Sequence, residues 1–201
     1  VTRHPFGLAA AFCVLSVLAS CMDETVTMGQ TDPSTSPLEP LSVAVRRSDE
    51  QRMTAYLTGY SYWDNTPPGS AAISKPVIHN RAGGTGTYAN PITIAVGHTI
   101  IGRRQTLDYA PGTRFYIERL RKYAIVEDVC GDGNTPQAGP CHTGYQGHPW
   151  LDLYIGGARA DSSVTNACAR NITALQTIII NPGRDYPVHA GEVTDSGCQV
   201  F

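Results

Sequence analysis

Short apolar runs of strand type recur along the chain from residue 53 onward, separated by Gly, Pro and Asn. Runs rich in Val, Ile, Tyr, Thr and Phe at 53–60, 92–96, 114–117, 123–127, 151–155 and 177–181 predict six β-strands. One window, 161–175, has helical spacing, with Ala167, Ile172 and Leu175 as its apolar points. The stretch Asn166-Ala-Cys168 within it predicts a short or irregular helix. Short strands joined by long Gly-rich crossings in a chain of this size predict an all-β, small closed barrel rather than a sandwich.

Two of these runs carry an acid where an apolar residue would pack more cheaply. Asp128 lies between Val126 and Val129, and Asp152 between Leu151 and the pair Leu153 and Ile155. A carboxylate in such a run is costly unless it is paired or used, so both are candidate site residues. The Gly/Pro/Cys-rich stretch between them reads as irregular loop.

Upstream, the pattern changes twice. Arg3 and His4 form a basic head, followed by an apolar stretch over 6–18. That stretch is shorter than the roughly 20 residues needed to span a bilayer and fits a signal-peptide core over 1–20. Ala19 and Ser20 before Cys21 resemble a bacterial lipobox, predicting lipidation of Cys21 and a membrane anchor; the competing reading is an ordinary secretory signal with a chance cysteine. Residues 21–50, with Pro33, Pro37 and Pro40 among Asp, Glu, Thr and Ser, read as a disordered tether. Residues 51–201 then form one domain with a single core. The expected location is extracytoplasmic: a bacterial membrane-anchored lipoprotein, periplasmic or at the cell surface, otherwise secreted, and monomeric.

Composition narrows the function classes. Only 16% of residues are charged and the formal net charge is −2, which argues against a nucleic-acid partner. With Cys13 and Cys21 set aside, Cys130, Cys141, Cys168 and Cys198 remain and allow three pairings. Export favours disulfides, with Cys130–Cys141 and Cys168–Cys198 the preferred pairs. A zinc site from Cys130, Cys141, His142 and His148 is the competing view, disfavoured because no C-x-x-C spacing is present. No metal and no cofactor are expected.

Tyr60, Tyr62 and Trp63 beside Asp64 combine aromatic faces, which stack on sugar rings, with a carboxylate able to act on a glycosidic oxygen or on water. The plainer reading is a turn at Asp64-Asn65 with the aromatics as packing residues. The Gly-rich loop over 78–92 lacks the lysine of a phosphate loop, and its His79 is a candidate to face a groove. Trp150, next to the Asp152 run, is a further candidate for substrate contact.

The order Thr58-Gly-Tyr-Ser61, Pro111-Gly-Thr-Arg-Phe-Tyr-Ile117, Val126-Glu-Asp128 and Leu151-Asp-Leu-Tyr154 resembles the double-psi β-barrel group. That group includes the three-aspartate domain of bacterial wall enzymes, membrane-bound lytic transglycosylase A, family 45 glycoside hydrolases, expansins and RlpA-like lipoproteins. The resemblance covers about residues 54–157. It implies a six-stranded double-psi barrel with long disulfide-stapled loops and at most one short helix. In the transglycosylases the aspartate matching Asp152 is the catalytic acid/base, with the one matching Asp128 close by. In family 45 the same later aspartate is the general acid, and a Tyr-Trp-Asp matching Tyr62-Trp63-Asp64 supplies the base.

The implied activity is cleavage of a β-1,4-linked polysaccharide, peptidoglycan foremost or a β-glucan, by aspartate acid/base catalysis. Inverting hydrolysis would set the acid Asp152 and the base Asp64 roughly 6.5–9.5 Å apart, with Asp128 tuning Asp152. Lytic transglycosylation would use Asp152 as both acid and base. The alternatives are a non-catalytic expansin-like or RlpA-like polysaccharide-binding lipoprotein and a structural envelope lipoprotein.

Overall fold

A computed structural model describes residues 50–201. The signal segment, the lipidation site at Cys21 and nearly all of the tether lie outside the described residues. The elements in chain order are β1 (Gln51–Tyr60), β2 (Ile92–Val96), β3 (His98–Ile101), β4 (Arg104–Leu107), β5 (Arg114–Ile117), β6 (Lys122–Val129), α1 (Pro140–Thr143), β7 (Trp150–Tyr154), α2 (Ser162–Ile172) and β8 (Ala174–Ile180).

Six strands close into a barrel in the order β1-β7-β2-β6-β5-β8, while β3 and β4 form a separate two-stranded sheet. Closure pairs every edge within the barrel, so no barrel strand is left as an open template. The β1–β7 and β2–β6 pairs are parallel, and the remaining barrel pairs are antiparallel. Each strand expected from the apolar runs has a counterpart in the barrel. The β3–β4 hairpin was not expected, because its alternation is weak: Ile100 and Ile101 are both exposed.

Every residue of β2 is buried, and β6 is buried from Lys122 through Asp128. These strands are covered on both sides, which explains their unbroken apolar character. Leu57, Ile94, Phe115, Val126, Leu151, Leu153 and Ile178 join one core. A smaller cluster of Tyr116, Tyr123 and Ile179, flanked by Tyr88 and Tyr186, packs separately. Lys122 is buried within this frame, its Nζ donating to the carbonyls of His189 (2.6 Å) and Gly191 (2.8 Å). Desolvation lowers its pKa to about 8.

Two corrections concern helices and loops. The described residues contain two α-helices, where at most one was expected. The loop between β6 and β7 is not wholly irregular: Pro140 occupies the first turn of α1, where its missing N–H costs nothing, and Gly144 at φ 78° ends it. The window at 161–175 forms α2, which packs on β1 so closely that a Cβ on Gly59 would meet Ile155 and Ile172 at 2.8 and 2.9 Å. Disulfides join Cys130 to Cys141 and Cys168 to Cys198. The first staples α1 to the end of β6, and the second ties the C-terminal tail to α2. Cys130 and Cys141 therefore hold each other and offer no thiolate to zinc.

Candidate functional site

The register of four neighbouring strands sets a row of side chains across the barrel. Thr58 on β1 lies opposite Asp152 on β7, Asp152 opposite Ala95 on β2, and Ala95 opposite Asp128 on β6. The β2–β6 register slips between Ile94 and Ala95, so Ile94 faces Val126 while Ala95 faces Asp128. Glu127 is the extra residue of this bulge. One added residue re-aims the strand, as bulges near sites commonly do. Without it the side chain beside Ala95 would be that of Glu127. The small Ala95 leaves space between the two acids.

This row forms part of a groove of about 590 Å³ lined also by Tyr60, Asp64, Ser74, Asp132, Cys141 and Trp150. Four aspartates thus share one cavity, and among the described residues no Lys, Arg or His lines it.

Asp152 is partly exposed to the groove. Thr58 Oγ1 donates to its Oδ1 at 2.6 Å, and Trp150 Nε1 donates to Thr58 Oγ1 at 2.8 Å. This chain orients the carboxyl from below. Burial raises the Asp152 pKa to about 7, aided by the charges of Asp64, Asp128 and Asp132 and opposed by the Thr58 hydrogen bond. A carboxyl that keeps its proton near neutrality is suited to act as a general acid.

Asp128 is buried, and its Oδ1 accepts from the backbone N–H of Val129 (2.9 Å) and Ser74 (3.1 Å). The Tyr60 hydroxyl donates to Oδ2 at 3.1 Å. Desolvation still outweighs these donors and raises its pKa. Tyr60 is pushed well above its ordinary value by burial and by Asp128 and Asp152, so it remains a donor.

Asp64 follows the end of β1 on a short turn, where the backbone N–H and the hydroxyl of Ser61 both donate to its Oδ1 at 2.6 Å. It is exposed at the groove rim. Asn65 braces the same loop by donating to the carbonyls of Ser70 (3.2 Å) and Ala72 (3.0 Å).

The other residues singled out in the sequence divide cleanly. Tyr60 and Trp150 line the groove, whereas Tyr62, Trp63 and His79 do not. The Trp63 indole donates to the carbonyls of Gly157 and Ala160 at 3.0 and 2.9 Å, clamping the segment after β7. Tyr62 packs edge-on against it at 5.4 Å. His79 is locked between Glu127 Oε2 (2.6 Å) and Asn90 Oδ1 (2.7 Å). Its ring is consumed by the fold rather than offered to a ligand.

Sequence reasoning passed over three contributors. Thr58 holds Asp152, and its place two residues before Tyr60 on a strand already puts both on one face. Asp132, two residues after Cys130, lines the groove and accepts from the Cys141 N–H at 3.2 Å. Glu127, wholly buried, accepts the N–H groups of Val77, Ile78 and His79 on Oε1 at 3.2, 2.7 and 2.8 Å. Burial pushes its pKa up, but the His79 and Ile78 contacts prevail and the net shift is down. Glu127 and Asp128 together grip the segment from Ser74 to His79, whose first residue lines the groove.

No solved structure matches the chain. The uncharacterized protein DDB_G0273701/DDB_G0273221 of Dictyostelium discoideum is 35% identical over 142 residues, covering 69% of this chain and 55% of that protein. The chain thus spans about half the length of the curated relative it matches. The domain family described as the DDB_G0273701 N-terminal domain matches residues 52–199, from β1 past the second disulfide and including all four groove aspartates. The chain belongs to the DDB_G0273701 N-terminal domain family.

Proposed function

We propose that this protein is a glycan-cleaving enzyme on a barrel of the double-psi type, acting on β-1,4-linked polysaccharide with Asp152 as the proton donor. The observation that carries this reading is the Thr58–Asp152–Ala95–Asp128 row at the floor of an open groove, where burial pushes the Asp152 pKa up to about 7. Asp152 gives its proton to the glycosidic oxygen as the bond breaks. Asp128, held by Tyr60 and two backbone donors, keeps negative potential beside Asp152 and sustains its raised pKa.

Asp64 lines the same cavity from the rim and serves as the base that activates water, giving hydrolysis. If the sugar's own hydroxyl attacks instead, Asp152 takes the proton back as base and the product carries an anhydro end. Two disulfides support an exported enzyme working in an oxidising compartment, where wall peptidoglycan or external β-glucan is the available polymer.

The test is mass spectrometry of products after incubation with peptidoglycan and with β-glucans. New reducing ends establish hydrolysis and anhydro ends transglycosylation, and Asp152→Asn abolishes either. Retained binding with no cleavage of any glycan replaces the enzyme by a polysaccharide-binding module. Full activity in Asp152→Asn refutes the assigned acid.

A further inference from the structure

A second cavity of about 430 Å³ adjoins the aspartate groove. Cys141 and Trp150 line both, so the two meet at the α1 turn and the first residue of β7. Each volume lies within the roughly 300–1,000 Å³ of small-molecule sites. A ligand passing over Trp150 leaves one cavity and enters the other.

The second cavity has its own recognition chemistry. His142, the residue after Cys141, bonds through Nδ1 to Asp108 Oδ1 at 2.6 Å. That bond fixes the imidazole plane and leaves Nε2 for a ligand. His148 and Tyr109 line the same space. Tyr56 and Tyr145 stack on each other at 4.2 Å, and Trp150 packs edge-on against both, at 4.7 and 6.3 Å, while Tyr145 is itself exposed. Aromatic rings beside imidazole and carboxylate groups suit a hydroxyl-bearing ring with apolar faces. Among the described residues neither cavity is lined by Lys or Arg, so neither offers a permanent cation to a ligand.

The position of this cavity relative to the acids is fixed covalently. The Cys130–Cys141 disulfide anchors α1 to the end of β6, and the Cys141 N–H bonds Asp132 in the groove. Gly97 sits where a Cβ would strike Asp108 and the Cys141 backbone, so β2, Asp108 and α1 are packed without slack.

Resting on the glycan-cleaving reading, we infer that the second cavity is a subsite for further sugar units of the same chain. His142, His148 and Trp150 contact these units, and the ligand is an extended glycan rather than a disaccharide.

The full-length protein is assayed with disaccharides and hexasaccharides of N-acetylglucosamine and of glucose, by initial rates and by calorimetric titration. The hexasaccharide is expected to show a KM and a Kd at least about tenfold below the disaccharide. His142→Ala and, independently, His148→Ala raise hexasaccharide KM about tenfold at constant kcat and remove the length dependence. Cleavage with equal KM for both lengths, or variants that alter kcat alone, overturns the subsite and leaves the enzymatic reading standing. A wild-type protein that binds the hexasaccharide but cuts nothing overturns the enzymatic reading, and loss of that binding in the histidine variants then supports the subsite. Binding of neither length overturns both.

Discussion

Replacing Asp152 by Asn should make the protein inactive yet more stable above neutral pH. The carboxyl sits at about 7 in the fold against an ordinary 3.8. Below about pH 4 both folded and unfolded chains hold this proton, and the group contributes nothing to pH dependence. Between the two values the folded state retains a proton that the unfolded chain has released, so stability falls as pH rises. Above about 7 the penalty is complete. At roughly 1.4 kcal/mol per pH unit of difference it amounts to about 4 kcal/mol, an upper bound for a carboxyl partly open to water.

Asn keeps the Oδ1 acceptor for Thr58 but carries no ionisable proton, so the variant escapes this penalty. A gain of about 2 kcal/mol at pH 8 corresponds to a rise in Tm of about 4–8 °C for a chain of this size. At pH 3 the gain vanishes. Calorimetric Tm curves for wild type and variant across this range are the assay, run beside glycan cleavage. Curves that stay parallel from acid to alkaline pH would refute the protonated Asp152, and with it the physical basis of the acid role.

Three further outcomes are expected. Thr58→Val removes the hydroxyl that lowers the Asp152 pKa and strands the Trp150 indole N–H, so the alkaline limb of the pH–rate profile moves upward and urea unfolding shows a loss of about 1–2 kcal/mol; an unmoved limb contradicts the relay. Glu127→Ala leaves three backbone donors and His79 without their acceptor and should cost about 3–5 kcal/mol in chemical denaturation. Because the folded-state Glu127 pKa lies below its ordinary value, the ionised form's share of that stabilisation is present at neutral pH and is lost on acidification, so the gap between wild type and variant narrows at low pH. Opening Cys168–Cys198 by a double Ser substitution frees a loop with a separation of 30 residues and should cost about 3.5 kcal/mol, while the proposed glycan cleavage should persist at 25 °C because the groove lies elsewhere; loss of cleavage in a folded variant would count against that separation of roles.

The chain's own pattern determined the strand inventory and the acids worth watching. Runs such as Ile92–Val96 are buried on every residue, and an apolar run of that kind can only be covered on both sides, so local composition sufficed to place it. Asp128 and Asp152 stood out because each interrupts such a run, an anomaly visible in one dimension. The lack of a C-x-x-C motif, with the expected export, favoured disulfides over metal for the four downstream cysteines.

What only the tertiary structure decided depends on strand neighbours far apart in sequence. The slip between Ile94 and Ala95 puts Asp128 rather than Glu127 beside Ala95, and no local property of Val126-Glu-Asp128 distinguishes the two acids. Closure of β1 against β7 brings Thr58 to Asp152 across 94 positions, creating the donor that orients the carboxyl. The same closure turns Trp63 toward the backbone after β7, removing a promising stacking surface from the groove. His79 followed the same logic: a buried Glu127 needs a partner, and desolvation made the nearest imidazole structural. Which aspartates share a cavity is a property of register and barrel closure, because a carboxyl's pKa and reach are set by neighbours that the chain meets only when folded.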